Sequence, residues 1–197
     1  MKINYTIFPI LFCLLCVCAT ANPVPKPTPA PAAASSPGYT AAEQKQLGYC
    51  MWLSSAAYTI AGYKLHGDPD SVPKKFYSAD PQSQVLLPLV NTVYSDKFTD
   101  AWNYAGDFYR DCANNLAQVP PERSGASGIC MHATLIAATA RTAREAGTPK
   151  EKVYALYTAQ GPAARKIIDG VYAPKTVPIQ GTELQTWSDC MAAFNEP

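Results

Sequence analysis

The stretch GYCMWLSSAAYTIAGYKLHGDP, residues 48–69, has a counterpart in GICMHATLIAATARTAREAGTP, residues 128–149. Cys50-Met51 opens the shared pattern in the first and Cys130-Met131 in the second. Seventeen residues after each cysteine stands a glycine, Gly67 or Gly147, and two further on a proline, Pro69 or Pro149. Downstream, each copy reaches a Val-Tyr pair, Val93-Tyr94 and Val171-Tyr172. Eighteen residues after each tyrosine comes Asp-Cys, as Asp111-Cys112 and Asp189-Cys190. An aromatic, Tyr109 or Trp187, precedes each closing cysteine by three positions. The cysteine spans are 62 and 60 residues, so a single two-residue difference reconciles all the landmarks. Matched landmarks in one order are the signature of an internal repeat, and the sequence predicts a tandem duplication.

The local chemistry of both copies is helical. Small residues recur as Ser54, Ala57 and Ala61 in the first, and as Ala133, Ala137 and Ala140 in the second, a spacing that lets another helix approach one face closely. Thr40 with Glu43 reads as a capping box, and Gly67 and Gly147 read as helix ends. Asp68-Pro69 and Thr148-Pro149, the latter with Glu151, are expected to cap the second helix of each unit. Asp80-Pro81 and Gly161-Pro162 mark the third, and Thr99 and Thr182 with Gln185 the fourth. No stretch alternates as a half-buried strand would. The expectation is an all-α protein made of two four-helix, disulfide-closed units over 39–118 and 129–197. Residues 119–128, with their paired prolines and later serines and glycines, are expected to connect them.

The N-terminus points out of the cytoplasm. Lys2, the apolar run over 7–17 and Ala19-Thr20-Ala21 read as a cleaved signal peptide over 1–21, and the run is too short for a spanning anchor. Residues 22–38, rich in Pro and Ala, read as a linker that cannot build a core. Three of the seven cysteines leave with the signal, and Cys50, Cys112, Cys130 and Cys190 remain. An even count in an exported chain reads as two disulfides. Of the three possible pairings, the repeat favours Cys50–Cys112 and Cys130–Cys190. Without Lys2, basic and acidic residues balance at 15 each. That argues against nucleic acid and against a polybasic membrane patch, and no stable membrane anchor is expected.

No catalytic set emerges. The four mature cysteines fall in matched pairs, so none is free to act as a nucleophile. Met131 and His132 are adjacent and diverge on a helix, and no Cys-x-x-Cys or His-Glu-x-x-His is present, so neither metal nor cofactor is expected. His66 stands at a helix C-terminus, where its charge suits the dipole, and His132 reads as an incidental helix residue. Asp107 and Asp111 with Arg110 read as a solvated face. So do Arg141, Arg144 and Lys166 with Glu145 and Asp169. The feature above background is aromatic content, which is far higher in the first unit than in the second. Most of it is core, and the remainder suggests a binding face, since Tyr and Trp concentrate at interface hot spots. The candidate partner-binding residues are Trp52, Trp102, Tyr104 and Tyr63. Trp52 and Trp102 lead because His132 and Gln180 stand at their places in the second unit.

The second unit resembles a type of small, cysteine-containing, helical exported protein of proteobacteria, itself uncharacterised. The residues that carry the resemblance are Cys130, Ala137-Ala138-Thr139-Ala140-Arg141, Glu145-Ala146-Gly147, Val171-Tyr172 and Cys190. It implies a helical periplasmic fold without an assigned activity. In architecture alone the chain is also similar to the periplasmic immunity proteins that block cell-wall-degrading toxins of type VI secretion. The function expected is therefore that of an exported, non-enzymatic protein-binding protein, periplasmic or secreted. Its partner would be another protein, in the specific form a secreted cell-wall hydrolase that it inhibits. A secreted effector or envelope enzyme with an unrecognised site, and a structural envelope module, are the alternatives. N-terminal sequencing of exported material should begin at Asn22. Retention of residues 1–21 in a membrane fraction would contradict the reading of the leader.

Overall fold

Thr40 opens the first helix as its side chain dictates. Its hydroxyl accepts from the Glu43 N–H while the Glu43 carboxylate accepts from the Thr40 N–H, which satisfies two of the donors a helix start leaves orphaned. The helix then runs as α1 (Ala41–His66) and stops at Gly67, whose φ of 90° is open to a residue without a Cβ. A computed structural model describes residues 38–173 and 181–194. The expected signal over 1–21, and the linker over 22–38 but for Gly38, lie outside the described residues.

After α1 come α2 (Ser71–Tyr77), α3 (Ser83–Ser95) and α4 (Ala101–Asn115), then α5 (Pro121–Glu145), α6 (Lys150–Leu156), α7 (Gly161–Tyr172) and α8 (Thr182–Ala193). A 3-10 turn over Thr158–Gln160 leads into α7. Among the described residues there is no strand, so the chain is all-helical. Disulfides join Cys50 to Cys112 and Cys130 to Cys190, with Cα atoms 5.6 and 5.5 Å apart. The first ties α1 to α4 and the second ties α5 to α8. Such bonds fit an oxidising compartment. No helix among the described residues is long and apolar enough to cross a membrane.

Several caps lie elsewhere than the sequence reading puts them. Asp100, not Thr99, caps α4, accepting from Asn103 N–H at 2.7 Å. Gly181 precedes α8, and Thr182 is its first helical residue. Asp70 rather than Asp68 precedes α2, and Pro149 rather than Thr148 precedes α6, neither with a side-chain cap. Asp80 accepts from Gln82 N–H at 2.7 Å in a turn ahead of α3. The backbone at Asp68 and Thr148 is recruited for something else. Their carbonyls accept from the Tyr94 and Tyr172 hydroxyls at 2.9 and 2.7 Å.

The segment read as a connector is another correction. Pro121 to Gly128 form the first two turns of α5, and little more than Ala117–Pro120 separates α5 from α4. Within this stretch that looks like a loop, Ser124, Ser127 and Gly128 lie on the packed side of the helix, and Pro121 and Gly125 are exposed. Pro121 sits where a helix needs no N–H. Ser124 and Ser127 are buried, and their hydroxyls donate back to carbonyls of their own helix. Tyr109 reaches across from α4 to donate to Ser127 Oγ at 2.8 Å, and its ring lies against Gly128.

The described residues form one compact unit with three apolar clusters. One belongs to the first half, around Ile60, Leu86, Val90 and Val93. Another belongs to the second, around Ala137, Val153, Ile168 and Val171, with Trp102 packed against it from α4. The central cluster is shared. Cys50, Met51 and Tyr109 meet Cys130, Met131 and Trp187 there, and both disulfides abut it. A loop of about 60 residues closed by a disulfide is worth about 4 kcal/mol in the chain-entropy account. Replacing either pair with alanine, as C50A/C112A or C130A/C190A, should therefore lower the unfolding free energy by about 4 kcal/mol in urea titration. A loss under about 1 kcal/mol would show that the covalent closure matters little.

Candidate functional site

Where α1, α3 and the end of α2 face α5 and α8, the surface opens into a groove of about 370 Å³. That is within the size range of small binding sites. Its floor is apolar and buried, made by Met51, Ala56, Tyr77 and Leu86 with Thr134. Trp52, partly buried on α1, forms one wall, and Ala138 on α5 faces into it. Leu184, 61% exposed at the start of α8, stands on the rim. Burial pushes the Tyr77 hydroxyl up to about 12, with Asp80 adding to the effect, so this phenol is neutral throughout the physiological range.

The charged groups of the groove are Asp80, Glu183 and Arg141. Arg141 is already engaged. Its Nε donates to Glu183 at 3.1 Å, and one terminal nitrogen donates to both oxygens of Glu145 at 3.0 Å. Among the described residues, one guanidinium thus serves two carboxylates and Asp80 has no ion pair, which leaves the rim with more carboxylates than cations.

A different arrangement is built where α4 meets α5. The His132 imidazole stacks on the Trp102 indole with centroids 4.3 Å apart and planes 10° from parallel. Trp102 in turn packs on Tyr157 at 5.7 Å. Gly106 makes room for the imidazole, since a Cβ there would come within 3.1 Å of its Cε1 and Nε2. The Tyr157 hydroxyl donates to Thr139 Oγ1 at 2.8 Å, with Tyr58 beside it. The His132 Nε2 is buried without a hydrogen-bond partner among the described residues.

The candidate aromatics therefore divide among different surroundings. Trp52 lines the groove, and the Tyr49 ring lies 5.6 Å from it, tilted by 37°. Trp102 sits between His132 and Tyr157 inside the joint. Tyr104 stacks on Phe98 at 4.2 Å and donates to Asp96. Tyr63 borders a shallow hollow with His66 and Asp68 near the end of α1. His66 is exposed and lies 3.1 Å from Asp68. Arg110 pairs with Asp107, Lys150 with Asp169, and Arg144 donates to the Val171 carbonyl at 2.6 Å. Among the described residues, no three His, Cys, Asp or Glu side chains gather as a metal site would need.

Ala138 and Leu184 were not legible as site residues, because an alanine and a lone leucine carry no signal of their own. Only position-by-position alignment of the repeat read from the sequence finds them, since in it Ala138 falls opposite Tyr58 and Leu184 opposite Gly106. No protein-family model, no curated protein and no solved structure matches the chain.

Desolvation holds the His132 pKa below its usual value, with Arg110 adding to the depression and the Trp102 carbonyl opposing it. The folded chain thus prefers the neutral ring, and the unfolded chain takes up the proton first as pH falls. The contribution is fully present above about pH 6.5, the unfolded value, and is lost as pH falls from there toward the lower folded pKa. Urea midpoints measured between pH 7.5 and 5 should decline with acidity in the wild type and decline less in His132→Asn. Parallel curves would show that His132 is not the group responsible.

Proposed function

We propose that the chain is a tandem duplication of a disulfide-closed four-helix unit that works, after export, by binding another protein without chemistry. Support for the duplication comes from pairs of contacts at matched positions. Ser54 donates to the Cys50 carbonyl at 2.8 Å and Thr134 to the Cys130 carbonyl at 2.9 Å. Lys64 donates to the Val93 carbonyl and Arg144 to that of Val171. Tyr94 and Tyr172 reach back to Asp68 and Thr148. Along 71–80 and 151–160, buried, half-buried and exposed positions follow one another in the same order.

The observation that carries the binding reading is the groove. It is an apolar-floored depression with a tryptophan wall and an exposed leucine at its edge, on a scaffold held by two disulfides. Such a surface suits a hot-spot contact, in which a few well-packed anchors supply most of the affinity. The partner class is a secreted protein of the same compartment, in the specific form a cell-wall hydrolase whose activity the bound chain blocks. The periplasm, or the medium after secretion, is the compartment.

The mature chain should bind one such hydrolase stoichiometrically and suppress its release of fragments from purified cell wall. Trp52→Ala should weaken that inhibition by about 30-fold, equivalent to about 2 kcal/mol. Hydrolysis of cell wall by the purified chain itself, or equal inhibition by wild type and W52A, would reject this function.

A further inference from the structure

The repeat brings two equivalent places into comparison, one filled and one open. In the joint, a ring from α4 lies against His132 and Tyr157, and that ring is Trp102. The groove presents the corresponding pair, because Trp52 occupies the place of His132 and Tyr77 that of Tyr157. The two tyrosines are both buried, and each has the matching threonine of its own half beside it: Tyr157 donates to Thr139, and Thr59 lines the groove with Tyr77. The rings that would fill the groove are missing from the sequence. Ala138 stands where Tyr58 stands in the other copy, and the sequence position matching Trp102 is Gln180, a residue without a ring that lies outside the described residues. The open volume is therefore what remains when Tyr58 is reduced to a methyl group beside a preserved two-ring seat.

We infer that the groove receives one aromatic side chain, a tryptophan in the best case, of a partner protein, seated between Trp52 and Tyr77 as Trp102 is seated between His132 and Tyr157. The inference rests on the binding function proposed above and assigns its anchor. Charge narrows the anchor's surroundings. Among the described residues, the rim carries Asp80 and Glu183, and the one arginine there is already shared between Glu183 and Glu145. A lysine or arginine beside the incoming aromatic would meet unbalanced carboxylate, and an acidic neighbour would be repelled.

The test uses the full mature chain with two capped dipeptides as probes, N-acetyl-Trp-Lys-amide and N-acetyl-Trp-Glu-amide, followed by 15N and methyl NMR. Expected are saturable shifts at the Trp52 indole N–H and the Ala138 and Leu184 methyls, with the Trp102 indole unmoved. The lysine probe should bind at least about 3-fold more tightly than the glutamate probe. Ala138→Tyr, which restores the missing ring, should weaken the lysine probe at least 10-fold. If that variant does not fold, Ala138→Leu should weaken it at least 3-fold. Shifts centred elsewhere, no saturation, or unchanged binding in the Ala138 variants would overturn the assignment. Free indole binding more than 10-fold tighter than either dipeptide would overturn it in favour of a small aromatic molecule. A hydrolase still inhibited equally by A138Y would remove the anchor while leaving the binding function standing.

Discussion

Both disulfides abut one core, and that shared location is the constraint on which the rest of the molecule depends. Cys50 and Cys130 are fully buried beside Met51, Tyr109, Met131 and Trp187, which come from both halves. Each disulfide removes unfolded-state freedom from its own half. Because the two sit against the same side chains, each also fixes one wall of a cluster that the other half completes. The small residues follow from this. Gly48 on α1 lies close to the Trp187 indole, and Gly128 on α5 lies against the Tyr109 ring. Ser124 and Ser127 are small enough to be buried and return their hydroxyls to their own helix. Larger residues would hold the helices apart and open the core around the sulfurs.

The outer clusters depend less on that centre and more on local contacts. Lys64 donates to the carbonyls of Val93 and Tyr94 at 3.0 and 2.9 Å, and also to that of Asp96, so one ammonium closes the end of α3 against α1. At the entry to the fold, Tyr39 is buried with its hydroxyl on the Arg123 carbonyl, while the Arg123 side chain holds Glu43 and the Gly38 carbonyl. The Arg123 hydrogen bond is the main reason that Glu43 ionises at about 2 instead of in the usual carboxylate range. That interaction knots the start of α1 to the start of α5 across 80 residues of sequence.

Much of the scaffold was legible because it rests on residues with strong local preferences or covalent consequences. Thr40 with Glu43, the positive-φ glycines Gly67 and Gly147, and the cysteine intervals each lead to one structural outcome. The weaker caps misled, because Asp, Thr and Pro a residue or two apart offer near-equivalent starts and tertiary contacts choose among them. The carbonyls of Asp68 and Thr148 are where the Tyr94 and Tyr172 hydroxyls bind, a choice made by residues more than 20 positions away. The first turns of α5 misled for a related reason. A Pro, Ser and Gly composition says loop by propensity, and only a large ring such as Tyr109 arriving from another helix turns it into an interface. Trp52 and Trp102 looked alike in sequence, yet one lines a groove and the other fills a joint. That difference depends on what stands opposite each, which the identity of the residue itself does not record.

The shared core also bears on ancestry. If the chain arose by doubling, as proposed above, a single ancestral unit would have carried Met51 and Tyr109, or their equivalents, on an uncovered face. A second copy of the same unit is the natural cover, so the undoubled ancestor would have been a symmetric pair. Joining such copies through the short turn around Gln118 would have made that contact intramolecular, so that the effective concentration of one half for the other no longer depended on expression level. Fusion also removes the requirement that both surfaces be the same. Tyr58 can stay large in one half while its counterpart shrinks to Ala138 in the other. On that proposed history, a self-recognising surface would be divided, one side kept for cohesion and the other freed from matching its copy.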